Sequence, residues 1–423
     1  METYPMRLIP RLLLLAGAAL FIFPSTALPQ VSLEECTAGV ASGRATTDGR
    51  PLLWKTRDAG ATDNEVIWNT SGKYHFVSVI SAGFEDSSWM GVNERGFAII
   101  NTQSSDLSAA DSGMHNGSFM VYALQEAATI EEFQALLDET NEGGRRTATN
   151  YGVIDATGAA AFFETAGHEY WRYDADDTET GYILRTNFAI NGTRPDGERP
   201  YSMDRFLQTE KLMLDFFGSG GIDFKEIAKI QVRSFGDREG HLVEIPFTES
   251  VDGHAPGYYP HSSSINRNTS VSFAVIQGVL PTEDARLSTM WTILGQPSTG
   301  VLIPYWPVGE TPPEADGPET APLNDVANQI KAQLYLEPGF HGAAPSDRPL
   351  FINTLKLKDE KGEGIWALMM PVEDSIIGES ERRLEGWRRS GVDVNGMLET
   401  EKTMTARALI TLERVYAYLT HSR

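Results

Sequence analysis

Cys36 is the sole cysteine of a 423-residue chain, and Thr37 follows it. A single cysteine cannot form an intramolecular disulfide, and an exposed thiol in an exported protein is open to oxidation. Chemistry gives a better reason to keep it. If the chain is cut before Cys36, that residue carries a thiol and an α-amine on one backbone. The amine has a pKa of about 7.7–8.0 in model compounds and is partly neutral near pH 7. The thiol starts near ~8.5 and falls beside cations. Together they form a nucleophile–base pair that can take an acyl group from an amide onto sulfur and release it to water. The competing reading is a small buried core cysteine.

The residues ahead of Cys36 read as an export signal. Arg7 and Arg11 precede an apolar run over 12–23, and Ser25-Thr26-Ala27 offers small residues for a cut after Ala27. This predicts a signal peptide over 1–27, a short propeptide over 28–35, and a periplasmic or extracellular protein. The run is short for a membrane span of ~20 residues. Glu34 and Glu35 stand where lipoprotein processing wants small residues, so a lipid anchor is the weaker reading.

The hydrophobic fraction is 41%, with 8 Trp, 14 Tyr and 19 Phe, enough for a sizeable core. With 35 Lys+Arg against 58 Asp+Glu, the net charge is −23, which argues against nucleic acid or an anionic membrane as partner. The 8 His are scattered without ligand spacing, and no His-Glu-x-x-His, Gly-x-Ser-x-Gly or P-loop is present. No metal and no cofactor is expected.

The first half alternates strands and turns. Residues 36–42 and 51–56 flank the turn Thr47-Asp48-Gly49-Arg50. Residues 66–68 and 76–80 read as strands. Residues 89–92 and 97–102 flank Asn93-Glu94-Arg95-Gly96, residues 151–155 and 159–164 flank Ala156-Thr157-Gly158, and 182–187 is one more strand. Helices are predicted over 119–128, over 129–139 with a Thr129-x-x-Glu132 start, over 202–217 and over 223–232. Residues 270–279 return to strand. Residues 310–322 are acidic and proline-rich, a linker or loop, and 323–336 and 380–421 look helical. The expected class is α+β with a largely antiparallel sheet: a core over 36–309 and a mostly helical extension over 323–423 packed on it.

The segments Cys36-Thr37-Ala38-Gly39-Val40 and Thr47-Asp48-Gly49 through Lys55-Thr56-Arg57-Asp58 resemble N-terminal-nucleophile hydrolases of the isopenicillin N acyltransferase (peptidase C45) type. Choloylglycine hydrolases and penicillin V acylases are similar. In that superfamily the mature chain begins at the cysteine, and the second strand of the first hairpin ends at a functional aspartate, here Asp58. A basic residue three before it, usually Arg, is replaced by Lys55, with Arg57 following. Which of the two points into the site stays open. Gly91-Val92-Asn93-Glu94-Arg95-Gly96 through Asn101 looks like the family's second hairpin, and Leu184-Arg185-Thr186-Asn187 like its Thr-Asn segment. Ser264-Ile265-Asn266-Arg267 is similar to the site of a late arginine near the thiol.

The resemblance implies an αββα sandwich with extra C-terminal helices. It implies an amidohydrolase or acyltransferase acting on a linear amide C–N bond of a small molecule through an acyl-Cys36 thioester. Its site would hold Cys36 as nucleophile, Asp58 orienting the α-ammonium, Asn187 and a group at Asn101 stabilising the oxyanion, and Arg267 near the thiol. Lys55 and Arg57 would bind substrate. Two readings compete: a non-catalytic exported binding protein on the same fold, and a dipeptidase-like peptidase. A homo-oligomer stays open.

Overall fold

Strands β1 (Glu35–Ala41) and β2 (Leu52–Asp58) form an antiparallel hairpin whose register pairs Cys36 with Arg57 and Ala38 with Lys55. Both strands are buried on both faces, which requires packed layers on either side. Even-numbered Ala38 and Val40 face one layer, while Ala41 faces the other. At Gly39 a Cβ would fall 2.2 Å from the Trp54 ring, so only glycine lets the indole cross the strand there. The computed structural model describes residues 35–317, 319–335 and 351–421. The predicted signal peptide 1–27 and residues 28–34 lie outside the described residues.

The chain next builds a seven-stranded antiparallel meander: β3 (Asn64–Asn69), β4 (Phe76–Ser81), β5 (Met90–Asn93), β6 (Ala98–Gln103), β7 (Thr149–Ile154), β8 (Ala160–Thr165) and β9 (Tyr170–Asp174). Between β6 and β7 lie α1 (Asn116–Glu126) and α2 (Ile130–Gly143), the latter capped by the Thr129 hydroxyl accepting from the Glu132 N–H. Asn93, the last residue of β5, donates to the Leu124 and Ala127 carbonyls and so ties the end of that strand to the end of α1.

The chain then returns to the first sheet. Strand β10 (Tyr182–Arg185) pairs with β1, placing Arg185 opposite Ala38. Helices α3 (Met203–Gly218) and α4 (Phe224–Lys229) follow, with short ribbons β11 (Phe235–Gly236), β12 (Leu242–Val243) and β13 (Tyr258–Pro260). Strands β14 (Ser270–Gln277), β15 (Thr289–Leu294) and β16 (Ile303–Tyr305) complete a sheet of order β10-β1-β2-β14-β15-β16.

Val40, Leu53, Val79, Ile100, Phe162 and Ala274 fill the space between the sheets. Phe119, Phe133 and Leu137 of α1 and α2 cover the outer face of the meander. Met213, Phe216 and Ile227 of α3 and α4 cover Trp54 and Trp291 on the other side. The architecture is therefore αββα, with antiparallel sheets.

The rest of the chain comprises α5 (Pro322–Leu334), β17 (Phe351–Asn353), α6 (Thr354–Leu357), α7 (Ile365–Ser390) and α8 (Val394–His421). It adds Ile330, Met404 and Leu412 to the core between the sheets, and the described residues form one compact unit. Buried carboxylates pin it in place. Glu373 of α7 pairs with Arg233 at 2.7 Å and accepts the Leu302 N–H. Glu401 of α8 accepts the Trp306 N–H at 2.7 Å. No described helix is long and apolar enough to cross a membrane.

Three expectations need correction. The helical stretch predicted over 380–421 is two helices, because Gly391 takes φ +93° and Asp393 caps the next helix by accepting the Gly396 N–H. Helix α7 also begins earlier, at Ile365, and carries Pro371 within it. Strand β10 stops at Arg185, so Asn187 lies in the loop beyond it.

Candidate active site

The hairpin geometry settles which basic residue faces the thiol. Directly opposed residues of an antiparallel pair point to the same side. Cys36 is opposite Arg57, and Ala38 opposite Lys55, so both cations face the layer between the sheets with Cys36. Lys55 Nζ donates to Asn101 Oδ1 at 2.5 Å and to the Trp89 carbonyl at 3.4 Å. Arg57 donates to Asn64 Oδ1 at 2.6 Å and stacks 4.3 Å over the Trp89 ring. Trp89 in turn donates to Ser81 Oγ. The two cations thus share one indole wall.

Asp58 lies opposite Glu35, on the other face of the hairpin and beside the Glu35–Cys36 peptide. A register shift between Ser270 and Ser272 of β14 lets the Ser270 hydroxyl donate to Asp58 Oδ1 at 2.7 Å. Asp58 Oδ2 is buried and has no hydrogen-bond partner among the described residues; Arg205 Nη1 stands 3.9 Å away. Burial pushes the Asp58 carboxyl up to about 7, against the pull of Arg205, Ser270, Lys331 and Lys55. Lys331, on α5, donates to the Asn268 and Ser270 carbonyls. Burial lowers its ammonium to about 8, and Asp58 opposes that.

Asn187 is fixed from several directions. Its N–H donates to Ser202 Oγ at 2.8 Å, and its carbonyl accepts from the Ser105 N–H and hydroxyl. Asn150 donates to the Thr186 and Phe188 carbonyls on either side. The buried Arg185–Glu164 pair, at 2.9 Å, ties β10 to β8, and Glu164 also accepts the Ile190 and Asn191 N–H groups. Ser202 holds φ +63°, an uncommon value outside glycine, at the turn into α3.

The side chain of Asn187 works on both of its atoms. Its Oδ1 accepts the Cys36 N–H at 2.8 Å and Arg205 Nη2 at 3.0 Å, and its Nδ2 donates to the Gln103 carbonyl. Two donors converge on one atom, so that atom is the oxygen. Asn187 therefore holds the nitrogen of Cys36 as an acceptor. Asn101 carries a second donor on this side of the hairpin: its Nδ2 is buried without a hydrogen-bond partner among the described residues. A buried donor left unmet costs roughly 1–3 kcal/mol, which a bound oxyanion would recover.

Arg205 is the main residue that the sequence reading missed. Its Nη1 donates to the Cys36 carbonyl and to Thr37 Oγ1. In sequence, Met203, Phe206, Leu207, Leu214 and Phe217 lie at helical spacing and suggest an inward apolar stripe over 202–217. The buried stripe is instead Arg205, Gln208, Thr209, Leu212, Met213 and Phe216, while Leu214 and Phe217 are exposed. The inward face starts polar because it abuts the backbone of Cys36 and the Thr37 hydroxyl. Arg267 also lies at this end of the hairpin, with Nη1 on the Glu35 carboxylate. Among the described residues no group of three His, Cys, Asp or Glu side chains could hold a metal ion.

No family model matches the chain, and no curated protein matches it. The fold is similar to several solved structures. One is a variant of the conjugated bile acid hydrolase of Clostridium perfringens, at 13% identity over 64% of this chain and 92% of that one, TM-score 0.40. Another is the penicillin V acylase of Agrobacterium tumefaciens, at 15% identity over 64% and 85%, TM-score 0.39. A third is the Caenorhabditis elegans orthologue of N-acylethanolamine-hydrolyzing acid amidase, at 13% identity over 59% and 95%, TM-score 0.39. The chemistry of this chain is drawn from its own residues around Cys36.

Proposed function

We propose that this chain is an exported cysteine N-terminal-nucleophile amidohydrolase, activated by cleavage of the Glu35–Cys36 bond. The observation that carries this reading is the socket around the Cys36 nitrogen. Asn187 Oδ1 accepts from it, Arg205 clamps the Cys36 carbonyl, and the buried Asp58 carboxylate stands close by. Such a socket serves little purpose around an ordinary strand amide. It suits an α-amine that must be held, oriented and kept near neutrality.

Maturation and catalysis use the same bond changes. Cys36 Sγ adds to the Glu35 carbonyl, the C–N bond breaks, and the nitrogen keeps the thiol proton. Water hydrolyses the thioester and releases a peptide ending in Glu35. On substrate, the neutral α-amine takes the thiol proton and sulfur adds to the amide carbonyl. Asn101 Nδ2 donates to the oxyanion, and Lys55 holds Asn101 in place. The α-ammonium protonates the leaving amine, and water frees the acid and the thiol. Asp58 and Asn187 orient the ammonium throughout.

Intact-mass analysis of the secreted protein tests the first step. Wild type should begin at Cys36, whereas Cys36→Ala should keep Glu35. A wild-type chain that keeps Glu35 contradicts the reading, and a Cys36→Ala chain trimmed like wild type removes self-processing from it.

The buried Asp58 gives a pH prediction. It must be ionised to hold the α-ammonium, so kcat/KM falls as pH drops through its pKa. Lys331 is one of the cations drawing that pKa down. Lys331→Gln should therefore move the acid limb to higher pH. A limb that stays in place would remove Asp58 from the rate profile.

A further inference from the structure

In the uncleaved chain the Glu35 side chain occupies a ready-made carboxylate cradle. Arg267 Nη1 donates to Oε2, the Tyr201 hydroxyl donates to Oε1, and Arg205 Nη2 stands 3.8 Å from Oε2. These groups come from the loop before β14 and the start of α3. The Glu35 side chain is 20% exposed, Arg267 15% and Arg205 1%, so the carboxylate lies in a partly covered pocket. Arg205 also bonds the Cys36 carbonyl and Asn187, which fixes the cradle rigidly to the nucleophile.

Resting on the amidohydrolase reading, we infer that this cradle becomes the acyl-side subsite of the mature enzyme, and that the substrate is an amide whose acyl group ends in a carboxylate. Glu35 is the acyl donor of the maturation step. Its carbonyl receives the Cys36 sulfur, and a substrate carbonyl must later occupy the same place. What then lies beside that carbonyl enters the space that the Glu35 side chain has left. Release of Glu35 also takes from Arg267 the one carboxylate it pairs with among the described residues. Burial already pulls the Arg267 guanidinium down to about 10, so it stays charged and gains from a new anion. A guanidinium and a phenol on the two oxygens of one carboxylate give that anion a fixed orientation.

The covalent structure of glutamate sets the length. Cα, Cβ and Cγ separate its scissile carbonyl from its carboxyl carbon, which is the spacing of a glutaric acid monoamide. The chain's net charge of −23 offers no long-range attraction to such an anion. Recognition is therefore a contact property of Arg267, Tyr201 and Arg205. The reaction is the one already described: the amide C–N bond breaks, the glutaryl group passes to sulfur, and water releases glutarate.

Two measurements test this. The first compares hydrolysis of glutaryl 4-nitroanilide and pentanoyl 4-nitroanilide, which share a leaving group and differ in the terminal carboxylate. Mature enzyme should favour the glutaryl amide by about tenfold or more in kcat/KM, since a site built for a polar group rejects the analogue lacking it. The ratio should collapse in Arg267→Gln and shrink in Tyr201→Phe. Equal or faster cleavage of the pentanoyl amide overturns the inference and leaves the amidohydrolase reading intact. The second uses no turnover: calorimetric titration of glutarate into mature protein and into mass-verified uncleaved Cys36→Ala. Mature protein should bind, and the uncleaved chain should bind far more weakly because Glu35 fills the cradle. Equal binding, or none to the mature protein, overturns the inference. Failure of a chain with exposed Cys36 to cleave any amide would instead sink the reading on which it rests.

Discussion

Cys36→Ser should lose about 10³-fold or more in kcat, and Cys36→Ala all measurable turnover, by analogy with the removal of other catalytic nucleophiles. The α-amine is a weak base, matched to a thiol near pKa ~8.5 and poorly matched to an alcohol. The cations Lys55 and Arg57, on the same face as Cys36, favour a thiolate further. Under the proposed self-processing the same substitutions should also slow release of Glu35, which complicates the measurement. Kinetics are therefore read on chains whose first residue has been determined, or on a chain expressed to begin at residue 36. Circular dichroism should show both variants folded: Cys36 is small, and a change at its sulfur touches one side chain between two well-packed sheets. A fully active Cys36→Ala chain would leave the site without its nucleophile.

Asn101→Ala should lower kcat by roughly 10²–10³-fold with little change in KM, the usual signature of a missing oxyanion donor. The structure separates this residue from Asn187. Asn101 Nδ2 is buried with no hydrogen-bond partner among the described residues, while its oxygen is held by Lys55. Asn187 already uses its oxygen on the Cys36 nitrogen and an amide hydrogen on Gln103. Loss of Asn187 should therefore disturb the placement of the amine and leave Arg205 Nη2 without that acceptor, a change seen in the pH profile and in stability as much as in kcat. Stopped-flow acylation rates for Asn101→Ala decide the matter. An unchanged rate assigns the amide a structural role.

Much of this site could be read along the chain because its parts lie on short hairpins. Cys36, Lys55, Arg57 and Asp58 occupy one hairpin, whose Asp-Gly turn and register are local properties. The residues that the sequence hid are those brought in from afar. Arg205 and Lys331 each sit on a helix far along the chain, and only the fold shows that Arg205 reaches the Cys36 carbonyl and Lys331 the Ser270 carbonyl in the strand beside the hairpin. The polar start of the α3 stripe was the available signal: Arg205, Gln208 and Thr209 continue the spacing of Leu212, Met213 and Phe216. Strands β15 and β16 were missed for another reason. Every residue of Thr289–Leu294 and Ile303–Tyr305 is buried, so neither shows the polar alternation that marks a half-exposed strand. The orientation of Asn187 was out of reach as well, since it depends on where the Cys36 N–H and Arg205 meet.

One labelling experiment tests the central claim most directly. In the uncleaved chain Cys36 is 0% exposed, held in β1 by the residues on either side. The proposed cleavage would make the residue a chain end, which an alkylating reagent should then reach. Mature protein treated with iodoacetamide should lose activity in proportion to label, ending at one label per chain on a peptide whose first residue is Cys36. Uncleaved protein should label slowly. A mature chain that is fully labelled at Cys36 and still fully active would contradict the account.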